Sequence, residues 1–259
     1  MQVVQGVERM TPEHGPVFIV VGVFDGLHLG HRYLLEHLVR EAQARAARPT
    51  VITFDHHPDE VLTGKAPPLL LDPQERLERL AAAGVAVTVV QHFDEALRQT
   101  SYEAFVRRIE ERVGLRGFLM TPDAAFGYER RGTPEALASL GSREGFEVVV
   151  VPPFSLGGRP VRSSEIRAEI AAGDLAGAET LLGRPASLTG VVKRSAAHGL
   201  RLTFELPVAL PPNGVYNGRI GDEVVRLRIV QGAAYLGGDV PIGARLTVTL
   251  RGEDATAAR

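Results

Sequence analysis

The stretch "VFIVVGVFDGLHLGH", residues 17–31, decides how this chain is read. It opens as an unbroken run of apolar residues, Val17 to Phe24, rich in β-branched side chains. Such a run, without polar alternation, reads as a strand buried on both faces of a parallel sheet. It then changes character at once: Gly26, His28, Gly30 and His31 follow. A strand ending at Phe24 delivers the chain to the carboxyl edge of its sheet, where ligands of α/β folds bind. Gly26 and Gly30 allow positive φ or a close backbone approach. A helix pattern starts near Gly30, so free N–H groups and a positive dipole end point at the same corner. His28 and His31, three residues apart, can present their imidazoles to one ligand there. The result is an anion-binding corner with two adjustable donors. The alternative is a glycine turn with surface histidines.

The same texture continues outward. "TVITF" (50–54), "AVTVVQ" (86–91), "GFLM" (117–120) and "EVVVV" (147–151) are further buried-strand patterns. Amphipathic segments separate them. Residues 31–47 place Leu34, Leu35, Leu38, Val39 and Ala42 on one face. Residues 72–84 carry Asp72 as N-cap, Pro73 at the first helical position and Gly84 as stop. Residues 101–114 run from a capping Ser101 to Gly114, and "RRIEER" (107–112) reads as a solvated face. This alternation predicts a doubly wound, Rossmann-like α/β domain with a parallel sheet.

Beyond residue 152 the pattern changes. "PPFSLGGRP" is a Pro/Gly-rich connector, and 163–183 read as two short helices broken at Gly173. From 186 onward only strand-like pieces remain, split by Gly and Pro, which predicts a small antiparallel barrel or sandwich. "GEDATAAR" reads as a frayed tail. The expected division is a domain over 1–185 and a second over 186–259.

Composition narrows the function. With a net charge of −2 the chain lacks the electrostatic footprint of a nucleic-acid partner, although a phosphorylated small molecule needs only a local positive site. The absence of cysteine excludes disulfides, thiolate metal sites and a cysteine nucleophile, and fits a cytoplasmic location. No apolar run is long enough to span a bilayer, and the first residues lack a signal pattern, so no membrane partner is expected.

The string "GVFDGLHLGH", with its H-x-G-H, resembles the bacterial FAD synthetase family, the bifunctional riboflavin kinase/FMN adenylyltransferases of the nucleotidyltransferase superfamily. Further matches follow in family order. "TFDHHP" (53–58) is similar to T-F-x-P-H-P, departing at His56, where proline is usual. "TPDAAFG" (121–127) is similar to G-x-D-F-x-F-G, keeping Asp123, Phe126 and Gly127 but placing Thr121 for the glycine and Ala124 for the first phenylalanine. "RSSEIR" (162–167) is similar to S-S-T-x-I-R, and "GDLAGAETLLGRP" (173–185) matches the segment that closes the adenylyltransferase domain.

The resemblance implies ATP and FMN as substrates, with Mg2+ carried on the ATP phosphates and no metal held by protein ligands alone. It implies direct in-line attack of the FMN phosphate on the α-phosphorus. His28, His31 and Arg167 would be catalytic. Gly22, Phe24, Asp25, Gly26, Gly30, Asp123, Gly127, Ser163 and Ser164 would surround ATP and its phosphates. Asp25 has a second reading as a turn cap, and Asp123 as a loop cap. Phe54, His57, Pro58 and Phe126 would line the flavin side, with a structural turn or plain core as the other reading. His14, His37, His92 and His198 receive no role.

The resemblance weakens in the C-terminal region. The family's kinase signature G-x-P-T-A-N is replaced by "TFELP" (203–207), and the later segment with its glutamate has no counterpart. Glu205 is a nearby carboxylate, outside any motif. The expectation is a kinase-derived barrel without riboflavin kinase activity. The competing readings are a bifunctional enzyme, a flavin- or nucleotide-binding regulator, and a nucleotidyltransferase for another phosphate acceptor.

Overall fold

The computed structural model describes residues 1–195 and 199–253, in two compact units. The first comprises Met1–Phe24, Gly30–Pro67 and Leu77–Ser155; the second comprises Asp25–Leu29, Pro68–Arg76 and the chain from Leu156 onward. His198 and most of the expected tail lie outside the described residues.

The first unit is built on a parallel sheet of β1 (Gln2–Gln5), β2 (Val17–Val21), β3 (Arg48–Phe54), β4 (Val87–Gln91), β5 (Leu115–Met120) and β6 (Glu147–Val150). Their order is β1-β4-β3-β2-β5-β6, with every pairing parallel. Val17, Phe18, Ile19 and Val20 are all buried, as a strand covered on both faces requires. The chain builds outward from β2 to β3 and β4, then returns to place β5 on the other flank. That reversal leaves a crevice at the carboxyl ends of β2 and β5, the switch point where such folds bind ligands.

The connecting helices are α1 (Leu29–Ala44), α2 (Asp59–Thr63), α3 (Pro73–Ala82), α4 (Glu95–Arg98), α5 (Tyr102–Glu110) and α6 (Pro134–Glu144). Asp72 Oδ1 accepts from Gln74 N at 2.9 Å and Glu75 N at 3.2 Å, so it caps α3 as its sequence predicts. Ser101 Oγ accepts from Ala104 N at 3.2 Å and opens α5. Four of these elements, β1, α2, α4 and α6, were not expected. β1 is a four-residue edge strand with one buried side chain, Val4. α6 starts at Pro134 after a capping Thr133 and ends at a left-handed Gly145.

The second unit contains a two-stranded ribbon, β7 (Ser155–Leu156) with β8 (Arg159–Pro160), whose first residue, Ser155, belongs to the first unit. Then come α7 (Ser163–Ala172) and α8 (Leu175–Leu182), separated at Gly173 as expected. A closed barrel follows: β9 (Ser187–Ser195), β10 (Gly199–Thr203), β11 (Gly214–Ile220), β12 (Glu223–Val230), β13 (Ala233–Leu236) and β14 (Arg245–Glu253). All its pairings are antiparallel, and Leu188, Val192, Leu202, Tyr216, Leu227, Ile229 and Val248 fill its interior. β14 continues to Glu253, so the expected tail does not begin at Gly252. The segment 68–76 joins this unit through backbone pairing: Leu69 N donates to Pro207 O and Ala209 N to Leu69 O, each at 2.8 Å. The architecture is a Rossmann-like α/β sheet unit plus a small antiparallel barrel.

Candidate active site

The chain leaves β2 through a tightly folded loop. Phe24 (φ 54°), Gly26 (φ 83°) and Leu27 (φ 39°) all take left-handed backbone. Gly26 fits there for want of a side chain: a Cβ would meet Leu70 Cδ1 at 3.0 Å. Two non-glycine residues in this region imply that surrounding contacts hold the loop against its preference.

Those contacts centre on Asp25 in the second unit, which is 3% exposed. Its carboxylate accepts from Leu70 N through both oxygens at 3.0 Å and from Leu71 N at 3.1 Å. Arg167 Nη2 closes the set at 2.5 Å, and its Nε donates to Pro68 O at 2.7 Å. Ser163 Oγ, on the first residue of α7, donates to Asp25 O at 3.0 Å, and Arg184 Nη2 donates to Gly26 O at 2.9 Å. Ser164 is exposed on the first turn of α7. Asp25, Gly26, Ser163 and Arg167 are therefore brought together, with the Asp25 carboxylate occupied by protein donors. Arg184 was not anticipated; the arginine of "LLGRP" was the available signal.

His28 belongs to the same unit and is 4% exposed. Burial, then the nearby positive charges of Arg184 and Arg167, lower its pKa to about 4. At neutral pH it is an uncharged imidazole, able to donate one hydrogen bond. α1 begins at the next residue, Leu29, with Gly30 and His31 in its first turn.

In the first unit, the His31 ring lies 5.0 Å from that of Phe24, which is buried. The switch-point crevice is a cavity of about 640 Å3. Gly22 lines it from the end of β2, Phe54, His57 and Pro58 from the end of β3, and Phe126 and Gly127 from the loop after β5. Its size suits a small-molecule ligand. Gly127 has φ 76°, and a Cβ there would fall 2.5 Å from Tyr102 N. Phe126 also packs against Phe105 and Phe118, so it serves core and cavity together. Asp123 lies on the exposed loop, where its Oδ1 accepts from Thr121 Oγ1 at 2.8 Å. The threonine that stands in place of the pattern's glycine thus caps this carboxylate.

The histidine-bearing helix start and the ligand-sized crevice sit on the Rossmann-like parallel sheet of a nucleotidyltransferase. The FAD synthetase family model matches residues 10–165. The chain belongs to the FAD synthetase family, whose substrates are ATP and FMN. It is 32% identical to a bifunctional riboflavin kinase/FMN adenylyltransferase of Pseudomonas fluorescens, over 83% of this chain and 72% of that protein. It is 31% identical to the protein of that name in Escherichia coli K12, over 96% of this chain and 80% of that protein. A crystal structure described as a macrolide-efflux protein from Streptococcus pneumoniae aligns with a TM-score of 0.80 at 21% identity. It covers 98% of this chain and 90% of that one, a likeness of fold. Among the described residues, no helix is long and apolar enough to cross a membrane.

Proposed function

We propose that the chain is an FMN adenylyltransferase that transfers AMP directly from ATP to FMN and lacks riboflavin kinase activity. A phosphate oxygen of FMN attacks the α-phosphorus of ATP, the bond to the bridging oxygen of the β-phosphate breaks, and pyrophosphate leaves. The reaction needs alignment and neutralisation of phosphoryl charge rather than a covalent enzyme intermediate. His28 and His31 donate to phosphate oxygens. Arg167 and Arg184 supply positive charge, with Ser163 and Ser164 at the start of α7. Asp25 is a positioning residue: it holds Arg167 and braces the loop. Phe54, His57, Pro58 and Phe126 form the flavin side, and Gly22, Phe24, Gly26, Gly30, Asp123 and Gly127 shape the nucleotide side.

The observation that carries this reading is the buried, uncharged His28 beside Arg184 and Arg167, next to the first turn of α1. The Asp25 carboxylate in this corner is already bonded to Leu70, Leu71 and Arg167. Mg2+ prefers oxygen ligands, so it would be held by the ATP phosphates, whose charge it neutralises.

The loss of kinase activity rests on residues 203–207. Thr203 Oγ1 donates to Val191 O at 2.8 Å, so the threonine that opens this segment is bonded into the barrel wall. We assign the adenylyltransferase chemistry to 1–185 and none to 186–259. The test is product analysis with ATP, Mg2+ and either FMN or riboflavin. FAD and pyrophosphate from FMN are expected, with no product from riboflavin. FMN made from riboflavin would establish a working kinase; failure to adenylylate FMN would overturn the transferase reading.

A further inference from the structure

We propose that Asp55, His56 and His92 form a binding site for a borderline divalent transition ion such as Zn2+. One ligand atom from each of the three lies within 4.8 Å of the others. The backbone that carries them is fixed by the sheet. β3 and β4 are adjacent, Phe54 pairs with Gln91, and Asp55 N donates to Gln91 O at 3.2 Å. Asp55 and His56 leave the end of β3 while His92 leaves the end of β4, so the two departing segments face each other.

The side chains already converge. His92 Nδ1 is 2.6 Å from Asp55 Oδ2, and His56 Nδ1 is 3.4 Å from Asp55 Oδ1. Ligands on a tetrahedral Zn2+, bound at about 2.0–2.1 Å, stand about 3.3 Å apart. Small rotations of two exposed imidazoles would open the close pair to that spacing. Two imidazole nitrogens with one carboxylate suit zinc, nickel or cobalt; magnesium and calcium require oxygen ligands. Both histidines are exposed, which leaves the fourth position to water. His56, standing where the family pattern has a proline, supplies a ligand that proline cannot.

The site borders the crevice without lining it. Phe54 and His57 flank the Asp55–His56 pair, Phe93 follows His92, and all three of these neighbours line the cavity. The Phe54 and Phe93 rings meet edge to face at 5.5 Å. A bound ion would therefore tie together the two loops that carry this aromatic wall.

Isothermal titration of ZnCl2 into the full chain in a non-chelating buffer tests the proposal, with visible spectroscopy of the Co2+ form as a direct report on ligation. One ion per chain is expected, with ligand-field bands in the Co2+ spectrum and a higher Tm in the presence of Zn2+. His56→Ala and His92→Ala should each weaken binding at least tenfold, and the double variant should lose the spectrum. Both positions are exposed, so circular dichroism should match the unaltered protein. His14→Ala, at a half-buried histidine that precedes β2, should bind as before. Absence of Zn2+ binding, or a double variant that keeps the affinity and the spectrum, would overturn the assignment.

Discussion

Acidification from pH 7 to pH 4 should destabilise the protein by about 3 kcal/mol more than it destabilises the His28→Gln variant. In the unfolded chain His28 takes its proton near pH 6.5; in the folded protein it does so only near 4, because burial and two guanidinium groups disfavour the imidazolium. Between those values the unfolded state binds more protons, so stability falls as pH falls. The contribution is fully present above pH 6.5 and is lost by about pH 4. At about 1.4 kcal/mol per pH unit, that window amounts to about 3 kcal/mol. This is a large share of a typical folding free energy of about 5–15 kcal/mol. Glutamine is uncharged throughout, so the difference between the two proteins isolates His28 from every other titrating group. The chain has no tryptophan, so urea unfolding should be followed by far-UV circular dichroism at each pH. Parallel stability–pH curves for the two proteins, or an NMR titration placing His28 near 6.5, would refute the reasoning.

Arg184→Met should move the His28 pKa upward from about 4, because one of the charges that repel the proton is gone; NMR titration of the ring protons checks this. Asp25→Ala should cost about 3–5 kcal/mol in urea unfolding, since it strands a largely buried guanidinium, whereas Asp25→Ala with Arg167→Met should cost less than the sum of the single changes. Additive losses would show that the pair is not coupled. Gly127→Ala should lower Tm by several degrees and weaken ATP binding, because its Cβ would strike the Tyr102 backbone at φ 76°; unchanged melting would contradict the clash. His31→Ala should reduce kcat for FAD formation by about 10²–10³ with little change in Tm, as expected for removal of one donor aimed at transition-state charge. Near-normal turnover would place the reaction centre elsewhere.

Much of this molecule was legible in its sequence where the signal is local. The buried run 17–20, the capped starts at Asp72 and Ser101, and the break at Gly173 each depend on a few neighbouring residues. β1 escaped notice because an edge strand with one buried valine has almost no pattern. β13 escaped because "AAYL" has no β-branched residue. α6 carries Thr133, Pro134 and Gly145 as its start and stop signals. The site is legible only in part. Its glycines and histidines lie in one string, but the Asp25–Arg167 pair joins residues 142 positions apart. The bonds from Leu70 and Leu71 to Asp25 are made by backbone N–H groups, which leave no trace in side-chain type.

The strap at 68–71 has an evolutionary consequence. Leu69 is paired with 207–209 through main-chain atoms, and its two successors hold the aspartate that secures Arg167. Main-chain pairing is indifferent to which side chains occupy the strap or the barrel rim. Side chains at 203–207 can therefore change while the main-chain pairing that buttresses the strap is kept. Excision is a different matter. A fragment ending at Pro185 would leave Leu69 without its partners and slacken the aspartate behind it. Whatever chemistry the barrel carries, its rim is also the part that fastens the strap.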